Sequence, residues 1–448
     1  MRKSFFIILS GLFFFGCAAG ERVYPIAPTL IPYTERNMKT AGFWINRHPA
    51  PDEIILSPED IAGFNANIEN ELKLTSNIFQ LTSISAEEFK SSLEKTLNDF
   101  SNGYYFKSGR PGSKFFDEVR ANMNLKAISG EIKMRFGFIV RFADQRFFPT
   151  AEGLYSKPMD IDFDELQNSD LDLGTPVAVV HQSLDGQWLY VESPLSSGWV
   201  RSDRVALCGL GEFKNFLSSP TFVVVTKAKA DIYLNPQLTS QYDYVRMGVG
   251  FPLIRKFETG VYEVGICLRD ENGRAVFKTG YLRSEDVHEG YLPYTPRNVI
   301  EQAFELLNSP YGWGGMHGEQ DCSRFLQEVF ATVGITLPRN SSEQARVGKL
   351  LAEFKQEATE SQKFEILSKQ AVGGITLLRL PGHIMLYLGI VNSRPYVIHA
   401  TWGYREPQGN VDRVRVINRV VVSDLSLGEG SQKGSLLKRL VKMILIAK

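Results

Sequence analysis

Between about residues 126 and 290 the chain repeats a pattern of short apolar runs broken by Gly, Asp and Pro, and the two halves of that stretch rhyme. Each half has an early β-branched run, TPVAVVHQ in the first and TFVVVTKA in the second. Each also has a turn dipeptide (Asp185-Gly186, Asn272-Gly273) and a closing run in which an aromatic follows glycine: Gly198-Trp199-Val200 and Gly280-Tyr281-Leu282. Runs this short, at this spacing, cannot build long helices or parallel βαβ units; they predict two small antiparallel all-β units in tandem.

Different periodicities flank this stretch. From 41 to 125 the pattern is helical, with Ser57 before Pro58 and Asp60, and Ser85 before Glu88, reading as helix N-caps. From Thr295-Pro296 the chain reads as an α+β unit. A helix carries Ile300, Ala303, Phe304 and Leu307 on one face. The Gly-rich turn SPYGWGGMHGEQ follows, then a second helix stopped by Gly334, then the strand-like runs ITLLRL, HIMLYLGIVN, PYVIHATWG and VRVINRVVV. At 448 residues several domains are expected. The predicted division is 1–17, 18–40, 41–125, 126–208, 209–292 and 293–448: leader, tether, α-rich unit, first barrel, second barrel and α+β domain.

The leader has Arg2 and Lys3 before an apolar run from Phe5 to Phe15, too short to span a bilayer and suited to a signal peptide. It ends at Gly16-Cys17, so cleavage before Cys17 and lipidation of its thiol is the expectation, with the mature protein exported to the periplasm and lipid-anchored to the outer membrane. An exported form without lipid is the second reading. The 50 basic residues balance the 50 acidic ones, which argues against nucleic acid as a partner. No metal or cofactor is implied, and the oligomeric state stays open.

Without Cys17 an odd set remains: Cys208, Cys267 and Cys322. Cys208 and Cys267 lie in apolar strand-like runs and read as buried thiols, with a bridge between them left open. Cys322 is different, because it opens a helix in Asp321-Cys322-Ser323-Arg324, where the dipole and free amides favour a thiolate and are placed to form an oxyanion hole. A thiol attacking an amide needs a base for its proton. His383 lies 61 residues downstream at the start of an apolar strand, and His399 follows 16 residues later on the next one, so that the second ring orients the first. His48, His181, His288 and His317 lie in settings that give them no such role.

Pro310-Tyr311-Gly312-Trp313-Gly314-Gly315, Asp321-Cys322-Ser323, Leu337-Pro338-Arg339, Gly382-His383, Tyr387-Leu388-Gly389 and Ile398-His399-Ala400 together resemble the NlpC-type cell-wall cysteine peptidases, over roughly residues 295–445. The two β units resemble bacterial SH3-type domains. This resemblance implies a multi-domain chain: an α-rich N-terminal unit, two small all-β SH3-type barrels and a C-terminal α+β papain-like domain. It implies Cys322 as nucleophile, His383 as base, His399 as orienting residue and Tyr311 as a hydroxyl near the oxyanion.

Family members with SH3-type domains resemble γ-D-glutamyl-L-diamino-acid endopeptidases, which cut the peptidoglycan stem peptide between γ-D-Glu and meso-diaminopimelate through a thioester. By position Asp321, with Ser323 and Arg324 beside it, then becomes a candidate for binding the free amine of L-Ala. Asp160, Asp162 and Asp164 of the first barrel are candidates for a second carboxylate. Arg324 departs from the small residue usual in the family and bears on the pocket floor. Two other readings use the same features: a non-catalytic wall-binding protein, and an amidase or transacylase.

Overall fold

The computed structural model describes residues 24–447, so the leader, Cys17 and the first part of the 18–40 tether lie outside the described residues. No helix among the described residues is long and apolar enough to cross a membrane.

Two seven-stranded antiparallel sheets follow one another along the chain. The first runs from the strand Arg135–Ile139 to Val205–Cys208, the second from Phe222–Val225 to Val287–Glu289. Numbering the strands of each sheet from one to seven, both have the order 3-2-6-5-4-1-7. The sequence rhyme is thus a repeated topology. Gly198-Trp199-Val200 and Gly280-Tyr281-Leu282 both fall on the sixth strand of their sheets. The turn dipeptides do not correspond: Asp185-Gly186 joins the fourth and fifth strands, whereas Asn272-Gly273 joins the fifth and sixth. Both glycines have positive φ, 71° and 79°, as such turns require.

The C-terminal unit places the helices Pro296–Glu305 and Cys322–Ala331 before a six-stranded antiparallel sheet. Thr295 caps the first helix through its side chain, with Pro296 at the first helical position, and Gly334 leaves the second with φ of 83°. Phe325, Leu326, Val329 and Phe330 of the Cys322 helix are fully buried in a core shared with Ile384, Leu386 and Ile398 of the sheet. Burial of about four such side chains is worth several kcal/mol, and it fixes the helix against the strands that carry both histidines.

The α-rich N-terminal region is not an independent unit, which corrects the sequence reading. Its caps form as expected, with a reciprocal Ser57/Asp60 box and Ser85 accepting from the Glu88 amide. Its helices nevertheless divide between two cores. Met38, Trp44, Ile45, Phe64 and Ile68 pack into the core of the C-terminal unit, whereas Phe89, Leu93, Leu97 and Met123 pack against the first barrel. Arg297 pairs with Asp52, and Asn65 donates to the Gly334 carbonyl, so this segment clips onto the C-terminal unit. The expected tether also packs from Ile26 onward, since the Ala27 amide donates to the Val416 carbonyl and Ile31 is buried. Neither amphipathic helices nor a short Pro-containing run carries information about which distant surface covers it.

Candidate active site

Cys322 is the first residue of its helix, and Asp321 is the N-cap, accepting from the Ser323 and Arg324 amides. The Gly-rich turn runs just before it, with Gly314 and Gly315 at φ of 59° and 86°. A side chain at Gly314 would meet the Gln167 carbonyl at 2.7 Å, and one at Gly315 would overlap the Asp170 carboxylate. The first barrel therefore sits directly against the loop that leads into the nucleophile, and glycine is what admits it.

His383 starts the strand His383–Val391, and His399 lies on the adjacent Arg394–Gln408 strand, joined by the turn at Asn392 and Ser393. Their rings meet, with His383 Nε2 2.7 Å from His399 Nδ1. His399 Nε2 in turn lies 3.0 Å from the Ser423 hydroxyl. This leaves Nδ1 of His383 as the nitrogen for an incoming proton. The sequence brought both rings together as expected and missed Ser423, which pairs from a third strand and carries no local signal.

Burial sets the charge states. It holds His399 down to about 3, and it holds His383 well below the ordinary imidazole value, with the neighbouring His399, Arg439 and Arg379 adding to the effect. It also pushes the Cys322 thiol up to about 12, helped by the Asp321 carboxylate and opposed by the Ile384 amide, Arg339 and Arg379. Burial and the adjacent carboxylate thus oppose the thiolate that the helix start favours, and burial likewise disfavours charge on both rings. Tyr311, near Cys322 and Asp321, is held well above the usual phenol range by burial, so it stays a hydrogen-bond donor.

Asp321 is not open to a substrate amine. Its Oδ2 accepts from Arg339 at 2.8 Å and its Oδ1 from the Ser323 hydroxyl and the cap amides; burial opposes its ionisation, but Arg339 and these donors hold it below the ordinary carboxylate range. Ser323 is buried and bonded to Asp321 and Arg339. Arg324 turns from the cleft to the first barrel, donating to Asp172 at 2.6 Å and to Glu328 at 3.2 Å. There it joins Arg246 of the second barrel, which also donates to Asp172 and pairs with Asp170. Two guanidiniums thus face two aspartates where three units meet, and burial lifts the fifth member, Glu328, to about 7.

The three barrel aspartates separate. Asp164 is buried, pairs with Arg146 at 2.9 Å and accepts from the Leu154 and Leu166 amides, so it braces its own loop and is unavailable to substrate. Asp160 is half-buried and does not line the cleft. Asp162 is exposed and accepts from Trp402 Nε1 at 2.9 Å. Next to it, Phe163 packs edge-on against both Trp313 and Trp402, with ring centroids 5.3 and 5.2 Å apart. A cleft of about 300 Å³ opens here, lined by Phe163, Tyr311, Trp313, His383, His399 and Trp402 among others. Cys208 and Cys267 are free thiols. No group of His, Cys, Asp and Glu suited to a metal occurs among the described residues.

A helix-opening cysteine set against an antiparallel sheet that carries a His-His pair makes up the α+β domain, with the first barrel packed against its Gly-rich loop. Residues 308–410 match the model of the NlpC/P60 family, and residues 154–201 match that of the SH3 domain of SH3b1 type, so the chain carries an NlpC/P60 domain behind an SH3 domain. Over 235 residues it is 28% identical to a gamma-D-glutamyl-L-lysine dipeptidyl-peptidase of Bacillus cereus, covering 48% of this chain and 63% of that protein. A protein of the same name from Bacillus subtilis is 33% identical over 100 residues, 22% of this chain and 30% of its own length. The chain thus spans less than two thirds of each of these relatives. An NlpC/P60 endopeptidase from Photobacterium damselae subsp. piscicida shares the fold across 95% of this chain and 99% of its own, with a TM-score of 0.76 and 22% identity.

Proposed function

We propose that this protein is a cysteine peptidase of the bacterial envelope that hydrolyses the γ-D-Glu to meso-diaminopimelate bond of peptidoglycan stem peptides. The observation that carries the reading is the hydrogen-bonded His383–His399 pair beside a helix-opening Cys322, in a cleft walled by Phe163 of the first barrel. The NlpC/P60 match and the relatives named for γ-D-glutamyl peptides support the substrate class.

In this mechanism the chain of protons is ordered by the hydrogen bonds. In the tautomers we assign, His399 donates from Nε2 to the Ser423 hydroxyl and accepts at Nδ1 from His383 Nε2–H, which leaves the lone pair of His383 Nδ1 free to take a proton. As Cys322 Sγ attacks the γ-carbonyl carbon, its proton passes to His383 Nδ1, and the carbonyl oxygen gathers charge near helix-start amides and the Tyr311 hydroxyl. The C–N bond then breaks, with His383 giving the proton to the leaving amine. Water, deprotonated by the same nitrogen, attacks the thioester and releases the acid and the thiol. A thiol that is neutral at rest suits this course, because the proton moves during attack and no buried ion pair has to be maintained beforehand.

The barrel wall also favours short substrates. Phe163 and the two tryptophans close one end of the cleft, and Asp162 lies at that rim, exposed and placed to meet a free α-amine. The test is to compare L-Ala-γ-D-Glu-diaminopimelate with the same peptide attached to intact sacculi. Much faster cleavage of the free tripeptide is expected, and equal rates would overturn the preference for a free N-terminus. An envelope location and the lipid anchor on Cys17 are part of the proposal.

A further inference from the structure

Beyond the histidines, the cleft runs between the long hairpin formed by Arg394–Gln408 and Val411–Asp424 and the loop from Leu427 to Leu436. Its lining there includes Arg405, Lys433 and Arg439, and no Asp or Glu lines the cleft anywhere among the described residues. Asp412, buried behind, comes within 3.9 Å of Arg405, and its Oδ1 already accepts from the Gln432 amide. The Arg439 guanidinium makes no hydrogen bond or ion pair among the described residues. Burial, with the other cations Arg439, Arg405 and Lys157, holds the Lys433 ammonium below its ordinary value, and burial with Arg405 does the same for Arg439. Three cations gathered in a cleft with Asp412 as their one nearby acid repel one another unless an anion enters.

The position of these groups identifies which part of the substrate they meet. Arg439 is close enough to His383 to disfavour its protonation. In the proposed mechanism His383 protonates the leaving amine, so cations that line the cleft near it are placed for the amine half of the substrate. Phe163 and Trp313, in edge-on contact with each other, line the same cleft.

We infer that Arg405, Lys433 and Arg439 form a subsite for the carboxylates of the amine-side residue, which selects a diamino acid bearing a second carboxylate over lysine at that position. This rests on the proposed γ-D-glutamyl peptidase activity. Two tripeptides that differ in that one group separate the cases: L-Ala-γ-D-Glu-meso-diaminopimelate has a carboxylate on the side-chain end, and L-Ala-γ-D-Glu-L-Lys has a hydrogen there. The α-carboxylate of D-Glu is common to both and does not alter their ratio.

The experiment measures kcat/KM on both peptides for the full chain, for Arg405→Gln, for Lys433→Gln and for the double variant. Lys433 is exposed and Arg405 half-buried on a hairpin, so melting temperatures close to wild type are expected and are checked in parallel. The wild type should prefer the diaminopimelate peptide by about 10- to 100-fold, and the double variant should lose most of that ratio, chiefly through KM. A wild type that cleaves both peptides with a ratio unchanged in the folded variants overturns the subsite and leaves the peptidase reading intact. A wild type that cleaves neither overturns the peptidase reading itself.

Discussion

His383 Nε2 lies 2.7 Å from His399 Nδ1, and His399 is only 1% exposed, held between His383 and the Ser423 hydroxyl. Replacing His399 by Ala frees the His383 ring to rotate and removes the acceptor that fixes its tautomer. A fall in kcat of about 10²- to 10⁴-fold is expected, with KM little changed. Because burial keeps both imidazoles below their ordinary value, the acid limb of kcat/KM in the wild type should lie well below pH 6.5. A limb centred at the ordinary histidine value would contradict the neutral, buried pair.

Glu328 gives a stability prediction with a definite sign. Its folded-state value is raised from 4.5 to about 7, so its contribution is fully present below about 4.5 and is lost as pH rises towards 7. The amount is about 3 kcal/mol. Glu328→Gln mimics the protonated form that leaves Arg246 and Arg324 matched to Asp170 and Asp172. Urea denaturation of the two proteins at pH 4.5 and pH 7 should show Glu328→Gln gaining on the wild type as pH rises. Asp172→Asn, which leaves both guanidiniums short of a partner, should cost about 3–5 kcal/mol at either pH.

Gly315 tests the contact between barrel and nucleophile. At φ of 86°, against the Asp170 carboxylate, even alanine forces the Gly-rich turn or the barrel strand to move. Gly315→Ala should destabilise by about 1–3 kcal/mol and lower kcat more than that loss of folded protein explains. Unchanged kcat in the folded fraction would show that the barrel contact does not position Cys322.

What the sequence disclosed was what short stretches encode. The caps at Ser57, Ser85 and Thr295, the turn glycines 186 and 273, and the order of Cys helix, His strand and His strand all depend on neighbours within one element or hairpin. The pairing of Trp44 with Tyr396, the partnership of Asp321 with Arg339, and the meeting of Arg405 with Lys433 and Arg439 depend on contacts made after the chain has folded back on itself. The Cys322 thiol shows the same limit in its charge state. Its place at a helix start is legible and favours a thiolate, whereas the burial that opposes it is a property of the packed structure.

Incubation of L-Ala-γ-D-Glu-meso-diaminopimelate with the full chain and with Cys322→Ala, followed by mass spectrometry, decides whether Cys322 cleaves this bond. The wild type should release L-Ala-D-Glu and free diaminopimelate, and Cys322→Ala, folded, should release neither. An intact peptide after incubation with the wild type, or cleavage that survives in Cys322→Ala, would contradict this expectation.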